Sequence, residues 1–271
     1  MKNLNLKIIE VKSALSKSRI PGIDYTINPY FGCEFGCSYC YADFMSRFSK
    51  NYKIFFEGSN WGEFVGIKIN IAEKLKTEIL KLTSKNSSIF SSNRKPNIWL
   101  SIVTDPYQPV EKKFKLTRKC LEILLEFQYP VGILTRSPLV LRDVDLLTQF
   151  ESLEVGLSIT TDNERIRKIF EPKAPSIISR IKTLEKLKSS GIKTFAFIGP
   201  ILPMDARNLA RQIDELVDYA LVDKMNYIWK TEKIYRANSI DFATRDEYFK
   251  AVAEEILDEF SSKGIEVQIL F

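Results

Sequence analysis

Three of the chain's four cysteines fall within eight residues, in the stretch Asn28-Pro29-Tyr30-Phe31-Gly32-Cys33-Glu34-Phe35-Gly36-Cys37-Ser38-Tyr39-Cys40-Tyr41-Ala42, spaced C-x3-C-x2-C. Three closely spaced thiolates can hold three corners of a metal centre and leave the rest of it open. A structural zinc site wants four closed ligands, usually Cys or His. The chain has no histidine, so the only further Cys or His ligand would be Cys120, about eighty positions away. The spacing therefore suits a four-iron cluster with one iron open to a ligand that is not protein, which marks a catalytic centre rather than a staple. The competing readings are a zinc knuckle completed by Cys120 and a disulfide framework. The second belongs to small cysteine-dense secreted domains, whereas this chain has 4 cysteines in 271 residues. Gly32 and Gly36 each precede a cysteine, where a loop wrapping a cluster needs tight turns or positive φ. Tyr39 and Tyr41 stand on either side of the last cysteine and are placed to flank a planar ligand.

The motif C-x3-C-x-aromatic-C resembles the signature of the radical S-adenosylmethionine (radical SAM) enzymes. In that superfamily the open iron binds the amino and carboxylate groups of the cofactor. Reductive cleavage of a C–S bond then yields methionine and a 5′-deoxyadenosyl radical that takes hydrogen from the substrate. Further stretches narrow the resemblance: Thr104-Asp105-Pro106-Tyr107-Gln108-Pro109, Leu134-Thr135-Arg136-Ser137 and Ser158-Ile159-Thr160-Thr161 follow the cysteine loop in that order. The series is similar to the branch related to spore photoproduct lyase, the DNA-repair photolyase-like proteins, over about residues 20 to 205. The resemblance implies a [4Fe–4S] cluster held by Cys33, Cys37 and Cys40, bound S-adenosylmethionine, and an external electron donor of the flavodoxin or ferredoxin type.

Composition sets the frame. Hydrophobic residues at 45% and charged residues at 27% are ordinary for a soluble globular chain, long enough for one large α/β domain or two small ones. A net charge of +6 is compatible with an anionic partner but does not require one. No apolar run approaches the length of a membrane span and Met1–Asn5 has no signal-peptide core, so a cytoplasmic protein is expected.

Apolar runs alternate with amphipathic stretches, the pattern of a parallel sheet with crossover helices. The spacing predicts strands at Tyr25–Asn28, Asn97–Val103, Val131–Thr135, Val155–Thr160, Thr194–Ile198, Lys224–Ile228 and Ile265–Leu270. Helices are predicted at Ile71–Leu80, Leu116–Phe127, Arg142–Phe150, Ile177–Ser189, Ala206–Ala220 and Thr244–Ser262. Six βα units agree with the fold that the resemblance implies, an α/β partial (β/α)6 TIM-like barrel in one radical SAM domain over 1–271. Its cluster loop spans 28–42, and its C-terminal part, 205–271, lies outside the resemblance. Periodicity alone does not separate this from a doubly wound sheet. Ser84–Lys95 reads as a surface loop, and Met45–Glu63, rich in aromatics, as an active-site loop.

In parallel α/β folds ligands bind at the carboxyl ends of strands. Thr104 and Asp105 close one such run and offer acceptors for the cofactor's amino group. Arg136 closes the next and offers a bidentate partner for its carboxylate. Ser158 and Thr160 present two hydroxyls on one face for the ribose. Gly199-Pro200 would let backbone approach the adenine. Glu171-Pro172 matches a family motif whose role the sequence does not supply. Cys120 lines up with Leu116, Ile123, Leu124 and Phe127 and reads as a core thiol.

The photoproduct lyases carry a hydrogen-donating cysteine at the end of the second strand, where this chain has Ser101-Ile102-Val103-Thr104-Asp105. Tyr39 and Tyr41 match tyrosines that the resemblance ties to radical relay, which makes them the candidate catalytic residues. Chemistry without a thiol donor is expected. Relatives of this branch act on ribosomally made peptides, among them spliceases that work with a small peptide-binding partner. A peptide substrate is therefore the leading expectation and lesion repair or modification of nucleic acid the alternative.

Overall fold

The structure, a computed structural model, describes residues 4–86 and 94–271. The chain divides into two compact units, the first built from 1–34, 42–134 and 142–154 and the second from 35–41, 135–141 and 155–271.

In the first unit β2 (Leu15–Lys17) runs antiparallel to β3 (Tyr25–Ile27), and β3, β6 (Ile98–Leu100) and β7 (Val131–Thr135) are parallel neighbours. Central parallel strands are buried on both faces, and Ile27, Ile98, Leu100, Val131 and Ile133 are all buried here. Gly132 sits opposite Trp99, where a Cβ would lie 2.2 Å from the indole; only glycine leaves room for that ring. The helices α3 (Ile71–Asn86) and α5 (Leu116–Glu126) pack with Leu75, Ile79, Leu116, Leu121 and Leu124 turned inward. Cys120 is fully buried among them, as its helical register requires.

A second, three-stranded sheet in the order β1 (Asn5–Ile9), β5 (Phe64–Lys68), β4 (Tyr30–Phe31) was not legible in the apolar spacing. It carries the aromatic segment predicted as an active-site loop. That segment folds instead into α1 (Tyr41–Arg47) and α2 (Lys50–Phe55), the latter capped by the Ser49 hydroxyl, which accepts from the Tyr52 N–H at 3.1 Å. Tyr52 and Phe56 pack on Phe64, with ring centroids 5.5 and 4.8 Å from it, while Phe31 and Trp61 close the cluster. Each buried aromatic contributes about 1.5–3 kcal/mol, so the aromatics here mostly build a small core. Met45, Phe48, Ile54 and Phe55 remain exposed.

In the second unit the order is β8 (Leu153–Ser158), β9 (Lys193–Ile198), β10 (Tyr219–Val222), β11 (Glu266–Ile269), with β9–β10 and β10–β11 parallel. The helices α7 (Glu164–Phe170), α8 (Ile177–Ser189) and α9 (Ala206–Ile213) start at Asn163, Ser176 and Asp205, whose side chains accept from the first-turn N–H groups. Further along, α11 (Asp246–Ser261) packs on α9.

Several boundaries differ from the sequence reading: the strand expected over Asn97–Val103 is only Ile98–Leu100, with Ser101 turning away at positive φ, and the helix expected over Ile71–Leu80 runs on to Asn86. The helix expected over Ala206–Ala220 stops at Ile213, and Tyr219–Val222 is the strand; the segment expected as a strand, Lys224–Ile228, is a loop leading into α10 (Ile228–Ala237). The run Tyr-Ala-Leu-Val continues the helical spacing of α9, but it pairs along Phe195–Ile198 and Glu266–Ile269, and tertiary pairing overrides propensity. The helix expected over Arg142–Phe150 is a 3-10 helix, Pro138–Asp143, followed by the one-turn α6 (Val144–Leu147). The loop expected over Ser84–Lys95 falls mostly on 87–93, outside the described residues; its start belongs to α3.

Candidate active site

The cysteine loop is bent where the sequence anticipated. Gly32 has φ 82° and Gly36 φ 56°, values that favour glycine. A Cβ on Gly32 would lie 2.5 Å from the Phe64 carbonyl oxygen and 2.7 Å from its ring. Cys33 and Cys37 are buried and Cys40 half-buried.

Within the first unit the Thr104–Pro109 stretch braces the entry to the loop. Gln108, fully buried, donates from Nε2 to the Gly32 carbonyl at 3.2 Å and accepts on Oε1 from the Glu34 N–H at 2.9 Å. It thus holds the peptide groups on both sides of Cys33. Glu34 in turn accepts from the Val110 N–H at 2.5 Å, ahead of α4 (Glu111–Phe114). Asp105 accepts from the Tyr107 N–H at 2.9 Å and shapes the turn. Thr104 is buried and its hydroxyl has no hydrogen-bond partner in the structure.

Within the second unit the loop's other half is fixed from several sides. The Ser38 N–H donates to the Phe170 carbonyl at 2.9 Å, and Lys230 Nζ of α10 donates to the Cys40 carbonyl at 2.7 Å. Tyr39, Arg136 and Thr160 meet at one carboxylate, Glu171. The Tyr39 hydroxyl donates to Glu171 Oε1, Arg136 Nε reaches the same oxygen at 3.4 Å, and Thr160 Oγ1 donates to it at 2.9 Å. Arg136 Nη2 also donates to the Tyr39 oxygen at 2.9 Å. Arg180, fully buried, donates to Glu171 Oε2 and, from Nη1, to the Ser158 carbonyl at 2.9 Å. Of the seven residues predicted around the cofactor, Tyr39, Arg136, Ser158 and Thr160 therefore share one network; Tyr41 follows on the same loop, and Thr104 and Asp105 belong to the first unit.

Electrostatics follow from burial. Burial alone would raise the Glu171 carboxyl, but Arg180 and then Arg136 outweigh it and hold it down at about 2. Burial raises the Tyr39 hydroxyl well above its ordinary value, against the pull of Arg136. The Tyr41 hydroxyl is likewise raised by burial. Burial pushes the Cys37 thiol up to about 12, with Arg136 pulling against it.

The residues present fit an iron–sulfur cluster with an amino-acid ligand. Three thiols share one loop, and within the second unit the Ser38 and Ser158 hydroxyls are buried with no hydrogen-bond partner among the described residues, a surplus of polar capacity that native interiors rarely leave unused. Among the described residues no three Cys, Asp or Glu side chains converge tightly enough for a single metal ion. Sequence reasoning missed Gln108, Arg180 and Lys230 and left Glu171 without a role. The Glu171-Pro172 pair and the Thr104–Pro109 stretch that contains Gln108 were usable signals; Arg180 and Lys230 carried none.

The chain matches the radical SAM superfamily over residues 27–213 and belongs to it. It is an enzyme that works with a [4Fe–4S] cluster and S-adenosylmethionine. An uncharacterized protein of Methanocaldococcus jannaschii is 33% identical over 98% of both chains. A Pseudomonas phage M6 protein described as a radical SAM Nalpha-GlyT isomerase is 25% identical over 65% of this chain and 32% of its own length. Among solved structures, spore photoproduct lyase complexed with dinucleoside spore photoproduct superposes with a TM-score of 0.71 at 14% identity, covering 98% of this chain and 82% of that one. Streptococcus suis SuiB bound to its precursor peptide SuiA gives 0.56 at 12% identity, over 99% and 49%. These likenesses show the fold, the α/β partial barrel of radical SAM enzymes.

Proposed function

We propose that the chain, acting as one radical SAM domain, modifies a macromolecular substrate, a ribosomally made peptide, by splicease-like cleavage of carbon–carbon and carbon–nitrogen bonds. Cys33, Cys37 and Cys40 carry the cluster, and Tyr39, Tyr41, Thr104, Asp105, Arg136, Ser158 and Thr160 face the cofactor. When bound, cluster and cofactor supply an electron and a hydrogen-abstracting 5′-deoxyadenosyl radical. The chain's own residues orient and shield: Arg136 pairs with the cofactor's carboxylate, Thr104 and Ser158 offer their unpartnered hydroxyls, and buried Tyr39 closes the loop to water. An external electron donor of the flavodoxin or ferredoxin type and a small peptide-recognition protein are the expected partners, in the cytoplasm. No helix among the described residues is long and apolar enough to cross a membrane.

The observation that carries the peptide reading is the absence of a thiol from 101–109, together with the seat of Cys120 inside α5 with none of its surface exposed. A lesion-repair reaction that quenches its product radical with cysteine has no donor there. The exposed apolar side chains of α1 and α2, which follow the cysteine loop directly, offer a surface for a peptide or its carrier.

A second reading, modification of nucleic acid, is favoured by Arg47, Lys50 and Lys53 interleaved with exposed Phe48 and Phe55, the mixture of cations and rings that single strands bind. Incubating reconstituted enzyme, cofactor and dithionite with the dinucleoside spore photoproduct separates the two: no conversion is expected, and efficient formation of two thymines overturns the peptide reading.

A further inference from the structure

Glu171 lies outside every residue predicted to touch the cofactor, yet it gathers three of them. It directly follows α7, and its own N–H donates to the Arg167 carbonyl at 2.7 Å while Arg167 Nη1 donates to the Glu171 carbonyl, also at 2.7 Å. Its backbone is therefore fixed. A carboxylate has about four acceptor sites, and Glu171 receives Tyr39, Arg136, Thr160 and Arg180. Three of these donors meet at Oε1 and Arg180 takes Oε2, and the side chain is fully buried, so the carboxylate holds its neighbours rather than a substrate.

The neighbours are not equivalent. Arg180 is locked from behind: Nε and Nη2 donate to the Pro175 carbonyl at 3.0 and 2.9 Å, and Nη1 to the Ser158 carbonyl. It fixes Glu171 and the end of β8 together. Arg136 keeps 19% of its side chain exposed; Glu171 and the Tyr39 hydroxyl hold its Nε and Nη2 edges, and its guanidinium carbon stands 5.9 Å from the Tyr39 ring centre.

We propose that Glu171 is a positioning residue: backed by Arg180, it pre-orients Arg136 and ties the Tyr39–Cys40 side of the cysteine loop to the ends of β7 and β8, so that the cofactor's carboxylate meets a guanidinium already aimed. The proposal rests on the reading that Arg136 faces the cofactor. It assigns a function to Glu171 and to Arg180, both fully buried behind Arg136.

The test compares wild type, Glu171→Gln, Glu171→Asp and Arg180→Lys, each reconstituted anaerobically. Iron per chain, the dissociation constant for S-adenosylmethionine, and the change that S-adenosylmethionine causes in the electron paramagnetic resonance spectrum of the reduced cluster are measured. Glu171→Gln is expected to keep its iron, bind the cofactor about 10–100-fold more weakly, the usual effect of removing a group that orients a ligand, and lose most of the spectral change. Glu171→Asp should recover part of both. Should Glu171→Gln not fold, Arg180→Lys keeps the charge, loses the fork, and should weaken cofactor binding although fully buried Arg180 cannot reach the ligand. Wild-type affinity and spectra in the folded variants, even with lowered thermal stability, overturn the proposal. A wild type that loads iron but shows no cofactor-induced spectral change instead overturns the underlying assignment of the site.

Discussion

Under the proposed assignment, Arg136 is the residue on which cofactor recognition turns. Arg136→Ala removes a charge-assisted pair and should weaken S-adenosylmethionine binding by about 1.5–3 kcal/mol, read by equilibrium dialysis against the reconstituted protein; unchanged affinity would mean the carboxylate is held elsewhere. Glu171 carries a pH signature. Its folded value, about 2, lies below its ordinary 4.5, so its contribution to stability is fully present above about pH 4.5 and is lost as pH falls toward 2. In Glu171→Gln that segment of the acid limb should flatten in a melting-temperature series, and an acid limb identical to wild type would remove Glu171 from the ion network. Arg136 does follow the end of β7, as its apolar run implied, whereas Thr104 and Asp105 stand beyond a strand that stops at Leu100, so a polar residue after an apolar run marked the strand end in one case and not in the other. The contacts Gln108–Gly32, Glu171–Tyr39 and Lys230–Cys40 were not legible: they span 76, 132 and 190 positions in sequence, and no local pattern encodes a contact across that distance.

The cysteine loop is shaped by its glycines at the scale of elements. Gly32→Ala would drive a Cβ into the Phe64 backbone at 2.5 Å in a left-handed conformation. Backbone cannot yield there as a side chain can, so a loss of about 1–3 kcal/mol is expected from overpacking, measured by urea denaturation of the apo protein; wild-type stability would show that β4 and β5 separate freely. Cys120→Ala should leave iron content unchanged while lowering stability, because α5 loses a core side chain and the cluster loses nothing. Most elements followed from periodicity, among them β7 and α8 with unaltered bounds. The failures share a cause. Tyr219–Val222 extends the spacing of α9 and is a strand only through its two neighbours, and the aromatic run after the cysteines reads as a lining until Phe64 shows what it packs against.

For the whole molecule, the cysteine spacing pointed to an open iron–sulfur centre, and its resemblance to the radical SAM signature supplied the class of chemistry, which the family match over residues 27–213 bears out. Substrate choice was less legible, since it depends on surfaces such as exposed Met45 and Phe48 that carry no fixed spacing. The central claim is that one cluster on Cys33, Cys37 and Cys40 reductively cleaves S-adenosylmethionine. It is tested most directly by reconstituting wild type and the three single Cys→Ala variants without oxygen, adding dithionite and cofactor, and measuring iron and 5′-deoxyadenosine. The account predicts about four irons per chain and 5′-deoxyadenosine formation in wild type, and no 5′-deoxyadenosine from any of the three variants. Undiminished cleavage in any of them, or an iron-loaded wild type that leaves the cofactor intact, would contradict it.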